Sequence, residues 1–459
     1  MHVAMGFESR RPGVGERCFV SPVIERVIEE TSAKIADPEL AWLFGNCFPN
    51  TLDTTITFTA DDGSGKPDTF VITGDIDAMW LRDSTNQVWP YLPYAKECGK
   101  LRELLRGLIR RQAACVLIDP YANGFYRTTE KTSPWKSDHT TMKPGVHERK
   151  YELDSLAAVL RLAAGYYEAT QDAAPFDEHF LRALGVILET IRHEQLGSSE
   201  QPYPLHYSFQ RTTQSTTETL ALEGMGNPFR RTGMSRSPFR PSDDAAIFQY
   251  LVPANAMAAV NLLKTGLMLE KLELGPQLAN AAVKVAAEIS SAIHQHALVQ
   301  HPAHGKVFAY EIDGYSSYHL MDDANLPNLL SLPYLGFCGT TDVPYQNTRR
   351  FCLSGDNPYF AKGPGCPEGA LSGPHIGQSW VWPLGIITQA ITSTDDDEIR
   401  TCLRRLKQTH AGTGFIHEAF RVDNPQRYTR DWFAWANTFF GELILHLSQT
   451  RPHLLTCHL

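Results

Sequence analysis

Two acidic segments lie far apart in the chain, each set among aromatic and basic residues. The first reads Phe239-Arg240-Pro241-Ser242-Asp243-Asp244. The second reads Phe415-Ile416-His417-Glu418, with Tyr428-Thr429-Arg430-Asp431-Trp432 following. Carboxylates that converge from separate segments can divide two proton transfers between them. One protonates a leaving oxygen while the other activates water or attacks carbon, which is what glycoside hydrolysis requires. A separation of about 6.5–9.5 Å between them means inversion, and about 5–5.5 Å means retention. Ser242 is a natural N-cap, which predicts Asp243 and Asp244 in the first turn of a helix, and that placement alone would account for both. This helix is expected to run from Asp244 to about Leu272 and to kink or restart near Pro253. Two adjacent carboxylates facing one cavity would push one pKa upward, as a general acid needs. Glu418 follows the Gly412 to Gly414 loop, where a surface turn is the plain alternative.

Two further stretches combine charge with aromatic rings. Gly74 to Pro93 packs Asp75, Asp77, Arg82 and Asp83 together with Trp80 and Trp89. Buried charges are costly unless paired and hydrogen-bonded, so the stretch predicts a polar pocket floored by aromatic rings. Without such a pocket it would be a salt-bridged helix start with Asp83 as N-cap. Val146 to Ser155 carries His147, Glu148, Arg149, Lys150, Glu152 and Asp154. Read as the start of a helix, it puts Glu148, Glu152 and Ser155 on one side, at steps of four and three.

Other chemistries lack their signatures. There is no P-loop, no Gly-x-Gly-x-x-Gly after a strand, no His-Glu-x-x-His and no Gly-x-Ser-x-Gly elbow. Asp243-Asp244 lacks the aspartate spacing that metal-diphosphate chemistry would need. A formal charge of -9 disfavours nucleic acid as a partner. No apolar run has the length of a signal peptide or a membrane span. The nine cysteines are scattered without Cys-x-x-Cys spacing. They read as mostly reduced thiols, and the expected location is cytoplasmic.

The elements that must position these residues are mostly helical. Apolar stripes recur at helical spacing in Leu101–Ile109, Leu153–Leu162, Phe180–Ile191 and Leu278–Ile293. Helices are also expected from Pro22, over Glu39 to Phe48, over Arg400 to Gln408 and over Trp432 to Leu447. Thr394 to Glu398 reads as a helix N-terminus. One β signal stands out, Thr54–Phe58 and Thr69–Ile72 around the turn-rich Asp61–Asp68. No strand-helix-strand alternation occurs. The long connections 123–149, 203–240 and 332–374 hold Trp, Tyr and Pro and read as ordered loops lining a site. Ser198 to Arg236, rich in Ser, Thr and Gln, reads as a partly mobile insertion. The expectation is one all-α domain spanning 1–459, with helical hairpins wrapped around a shared centre.

Six blocks, taken in order, resemble glycoside hydrolase family 125, the exo-acting α-1,6-mannosidases. They are GDIDAMWLRDSTNQVWPYL, HERKYELDSL, FRPSDDA with a later PAN, PYQNTRRFCLSGDNPYF, GPHIGQSWVWPLG, and HEAF with YTRDWFAWAN. The similarity runs from about Cys47 to about Leu447. It implies an (α/α)6 barrel and metal-independent, inverting removal of a terminal α-1,6-linked mannose, with no cofactor. It further implies Glu418 as general base and Asp243 or Asp244 as general acid. Asp244 is preferred, with Asp243 as its capping or pKa-raising neighbour, although the sequence does not separate them. Trp80, Arg82 and Asp83 would hold the terminal mannose, with Glu148, Lys150, Arg240 and His375 as further sugar contacts. The chain departs from the family pattern in the insert before FRPSDDA and directly after His375, which bears on the aglycone accepted. Another helical-barrel glycosidase, or a sugar-binding protein on the same scaffold, would be the alternatives. The partner expected is a mannose-containing oligosaccharide.

Overall fold

The computed structural model describes residues 7–201 and 206–458. The first six residues, and Tyr203 at the start of one expected loop, lie outside them. The structure is rich in helices joined by long loops and small sheets. The expected hairpin forms, Ile56–Thr59 against Asp68–Val71, with Ile56 opposite Val71 and Thr59 opposite Asp68. Its loop closes on Asp61, whose Oδ1 accepts the N–H groups of Gly63 and Gly65, both at 2.8 Å. Among the described residues no helix is long and apolar enough to cross a membrane. All nine cysteines are free thiols.

The central helices are buried all round, as a helix enclosed by others must be. In Leu153–Thr170, residues 153–167 are all buried, and Ala434–Thr450 is buried over most of its length. Leu81–Val88 is buried throughout although its sequence, LRDSTNQV, is polar. Its polar side chains therefore find internal partners. Thr85 Oγ1 donates to the Ala158 carbonyl at 3.0 Å, and Gln87 Nε2 donates to the Ile72 carbonyl at 3.0 Å. Successive packing partners run from Pro383–Ile391 to Ala434–Thr450, then Leu81–Val88, Leu153–Thr170 and Val252–Lys271.

Three small sheets feed the N-terminal ends of these helices. Met79–Trp80, Gly124–Phe125 and Val146–Glu148 form the first, leading into Leu81–Val88 and Leu153–Thr170. Tyr250–Leu251, Glu311–Ile312 and Tyr318–His319 form the second, leading into Val252–Lys271. Trp380–Val381, Ala419–Arg421 and Asn424–Thr429 form the third, next to the starts of Pro383–Ile391 and Ala434–Thr450. Many of these strands are two or three residues long, too short for alternation to show in the sequence.

Three readings of helix starts are corrected. Asp243 and Asp244 do not open a helix; the helix begins at Val252, with Pro253 in its first turn. Proline lacks the N–H that a first turn leaves unbonded, so Pro253 starts the helix instead of kinking it. Likewise Val146–Glu148 is a strand, and the following helix starts at Leu153 with Glu152 as its N-cap residue. Glu148 and Glu152 thus share no helical face, yet Asn123 Nδ2 donates to both, at 3.2 and 3.3 Å. Asp83 is also not an N-cap; Trp80 holds that position. The 198–236 stretch, expected to be partly mobile, is fastened over its described residues. Tyr207, Phe209, Phe229 and Arg236 are buried, and Arg211 and Arg236 are held by ion pairs to Asp138 and Glu194.

Gly74 marks a close approach in this framework. Its φ is +137°, and a Cβ there would lie 2.2 Å from the Trp432 carbonyl oxygen. Only glycine lets the Asp75 segment pair with the chain after Glu418, where the Asp75 N–H reaches the same carbonyl at 3.2 Å.

Candidate active site

Glu418 enters the Ala419–Arg421 strand with its carboxylate held by two donors. Thr429 Oγ1 donates to Oε2 at 3.0 Å, and Arg430 Nη1 donates to Oε1 at 3.3 Å. Arg430 has φ +53°, in the left-handed region. Its Nε donates to Asp75 Oδ1 at 2.8 Å, so the Gly74 segment fixes the arginine that fixes Glu418. His417 stacks on Tyr428 with ring centres 3.6 Å apart, and its Nδ1 lies 3.1 Å from the Arg430 carbonyl.

The aspartate pair sits in a tight turn. The Asp243 N–H donates to the Arg240 carbonyl and the Arg240 N–H to the Asp244 carbonyl, both at 2.8 Å. Asp243 carries φ +65°, a conformation that costs free energy in a non-glycine residue and turns its side chain away from its neighbour's. The Asp244 side chain is 0% exposed, whereas that of Asp243 is 24% exposed. Ser242, expected to cap a helix, donates its hydroxyl to Asp244 Oδ2 at 2.8 Å instead. Asp244 Oδ1 lies 3.4 Å from His375 Nδ1. Burial works to lower the pKa of His375. The hydrogen bond and charge of Asp244, with the charges of Asp243 and Glu418, outweigh it and raise the pKa to about 9.

His375 therefore carries its proton at neutral pH, and this has a sign that can be measured. A folded-state pKa raised from the ordinary value of 6.5 contributes stability that is complete below about 6.5 and lost as pH rises through about 9. Asp244→Asn is expected to move the His375 titration, followed by NMR of its ring protons, toward lower pH and to remove that part of the pH-stability profile. An unmoved titration would contradict the pairing.

Arg82 lies behind the aspartates. Its guanidinium contacts Glu152 at 2.6 Å, Asp154 at 3.1 Å, Asp83 at 3.4 Å and Asp243 at 3.6 Å, and its side chain is 3% exposed. One cation thus offsets four carboxylates, and Trp435 covers it at 5.8 Å. Burial pushes Asp83 up to about 6 against the pull of Arg82. Burial also raises Glu152 well above the usual carboxyl range, again against Arg82, and the charge of Asp243 adds to the rise. Asp243 is held low although burial works to raise it, by a hydrogen bond from Glu152 and the charges of Arg82, Lys150 and His375. The two carboxyls share one buried site and titrate as a pair. Trp80 packs edge-on against His147, ring centres 5.1 Å apart, with its buried Nε1–H unpartnered among the described residues.

Glu148, Lys150 and Arg240 are held by ion pairs as well. Lys150 Nζ donates to Glu218 at 2.7 Å and to the Asp243 carbonyl at 2.7 Å. Glu148 accepts from Arg211 at 2.8 Å. Arg240 Nε donates to Glu311 at 2.6 Å, while its Nη2 is buried without a partner among the described residues. The structure thus brings Asp243, Asp244, Lys150, His375 and Arg82 together, and the charge of Glu418 reaches His375. It adds Asn123, Arg211, Glu218 and Glu311, which sequence reasoning missed. Asn123 donates to Asp243 at 3.1 Å.

A sequence model described as metal-independent alpha-mannosidase (GH125) matches residues 37–445. This chain belongs to glycoside hydrolase family 125. A protein of Schizosaccharomyces pombe, the meiotically up-regulated gene 157 protein, is 45% identical, over 97% of this chain and 89% of its own. A metal-independent α-mannosidase of Streptococcus pneumoniae, solved in a non-productive complex with α-1,6-mannobiose, superposes with a TM-score of 0.88. It shares 38% identity over 94% of this chain and 100% of that chain. A family GH78 rhamnosidase of a Bacillus species shares the fold at a TM-score of 0.53 and 11% identity, over 91% of this chain and 35% of that one. The family's metal independence agrees with the donor set found here. Atoms of Glu218, Asp244 and His375 lie within 4.8 Å of one another, a spacing open to a cation. Lys150 and Arg211 already neutralise Glu218, and the His375 imidazolium already faces Asp244.

Proposed function

We propose that this family 125 α-mannosidase is an inverting exo-α-1,6-mannosidase on an (α/α)6 barrel, with Glu418 as general base and Asp243 as general acid. The chain of packed inner helices and the superposition on the pneumococcal enzyme support the barrel. The observation that carries the assignment is the convergence on His375. The Asp243-Asp244 turn and Glu418, 174 positions apart in the sequence by subtraction of 244 from 418, both impose their charge on that one imidazolium.

Exposure favours Asp243 over Asp244 as the acid. A general acid must touch the glycosidic oxygen, which a fully enclosed carboxyl cannot do without rearrangement. The proton that Asp243 delivers is drawn from the pair it forms with Glu152. As the bond to the anomeric carbon breaks, the oxygen of the departing sugar takes this proton. Glu418 removes a proton from the water that attacks the opposite face of that carbon. Mannose leaves with inverted configuration, and solvent exchange restores both carboxyls. Asp244 keeps His375 cationic, and Arg430 orients Glu418. Trp80 and Asp83 are assigned to the terminal mannose, with Arg82 as the internal counter-ion behind them. Glu148 and Lys150 support the acid, and Arg240, enclosed beside Glu311, holds the segment that carries it. The complex of the pneumococcal relative with α-1,6-mannobiose supports the linkage, and the insight its family gives into the processing of N-linked glycans points to mannose-containing oligosaccharides as substrate.

A panel of α-mannobioses differing only in linkage tests this reading. The α-1,6 isomer is expected to be hydrolysed at least tenfold faster than the others, roughly the discrimination that a few well-placed hydrogen bonds supply. Equal rates across the panel would contradict the linkage assignment.

A further inference from the structure

We infer that Glu218 determines leaving-group specificity, by accepting a hydrogen bond from a hydroxyl of the departing sugar. The inference rests on the mannosidase reading above and adds a residue to it. Glu218 ends the short Thr216–Glu218 turn of the 198–236 stretch. That turn is strapped to the acid-bearing segment, because the Thr217 carbonyl accepts the Ala245 N–H at 2.7 Å.

The carboxylate is oriented before any substrate arrives. Lys150 Nζ and Arg211 Nη1 both donate to Oε2, at 2.7 and 2.8 Å, and neither of these bonds involves Oε1. Arg211 is itself rigid. Asp138 accepts from its Nε and Nη2 at 2.9 and 2.7 Å, and the Trp135 ring lies 3.7 Å from its carbon centre. Within this network Lys150 is 1% exposed, Glu148 4% and Arg211 7%, whereas Glu218 is 24% exposed. Glu218 is therefore its open end, with Oε1 outside both of these bonds and one of its carboxylate oxygens within 4.8 Å of ligating atoms of Asp244 and His375.

Its place relative to the two catalytic groups identifies what it meets. In an inverting site the acid and the base stand on opposite sides of the anomeric carbon, and the acid stands at the leaving oxygen. Glu218 is bonded to Lys150, which holds the Asp243 backbone, and the Thr429 and Arg430 donors of Glu418 take no part in its network. A group on the acid's side meets the departing sugar. An ionised carboxylate is acceptor-only, and sugar hydroxyls supply donors.

Glu218→Gln tests this with two substrates that share the mannosyl group. With Lys150 and Arg211 occupying the amide oxygen, the Oε1 position would hold NH2, which cannot accept. The expected result is a loss of about 10- to 100-fold in kcat/KM on α-1,6-mannobiose, the range for a hydrogen bond to a charged group. On a dinitrophenyl α-mannoside, whose leaving group has no hydroxyl to donate, the change should stay within about twofold. In parallel, calorimetric binding in a Glu418→Gln background should show weaker mannobiose binding and unchanged mannose binding. Equal losses on both substrates, or no loss on either, would overturn the inference. A wild-type enzyme that left α-1,6-mannobiose intact would overturn the linkage reading instead, and the two binding affinities would still decide the role of Glu218.

Discussion

Glu418→Gln is expected to lower kcat on α-1,6-mannobiose by about a thousandfold, within the range that general base catalysis contributes. The amide can keep the Thr429 and Arg430 segment in place but cannot take a proton from water. Binding of mannose should therefore change little, which separates loss of chemistry from loss of structure. The loss should persist on a substrate with an activated leaving group, because the attacking water needs its base whichever group departs. Activity near wild type in this variant would remove Glu418 from the mechanism.

The second large effect belongs to the aspartate pair and has the opposite dependence on leaving group. Asp243→Asn is expected to cost about 10²- to 10⁴-fold on α-1,6-mannobiose. On a dinitrophenyl mannoside, which departs without protonation, most of that loss should vanish. Asp244→Asn removes the partner of His375 and should reduce both substrates alike, with the change concentrated at pH values up to about 9, where the wild-type imidazolium persists and the variant has lost its proton. A leaving-group rescue seen for Asp244→Asn and not for Asp243→Asn would exchange the two roles. The turn geometry opposes that exchange, since the left-handed backbone at Asp243 sends one carboxylate to the open side and leaves the other enclosed.

Much of this site is legible in the sequence through residue chemistry alone. Of the charge and tryptophan in Gly74–Pro93, Trp80, Arg82 and Asp83 are buried, whereas Asp75 and Asp77 are exposed. The role of the arginine does not follow from composition. Arg82 contacts carboxylates at positions 83, 152, 154 and 243, and separations of up to 161 residues, 243 minus 82, leave no periodic trace. The same holds for Arg211 and Glu218, which sit in a Thr- and Gln-rich stretch whose composition reads as loose. What orders that stretch is Asp138, Glu148 and Lys150, all supplied from elsewhere in the chain. Pro253 is different, because a local rule was available. Proline favours the first turn of a helix, and applying that preference would have placed the helix start at Val252 and the aspartates in a loop. The apolar stripes mark the helices well, since the inner ones are buried along most of their length, while two-residue strands fall below what alternation can reveal.

The most direct test of the mechanism is the configuration of the first mannose released from α-1,6-mannobiose, followed by proton NMR before mutarotation. An acid at Asp243 and a base at Glu418 acting through water predict β-mannose as the first product, with the α-anomer growing in later. The α-anomer as first product would mean a covalent or otherwise retaining path and would contradict the roles assigned to both residues.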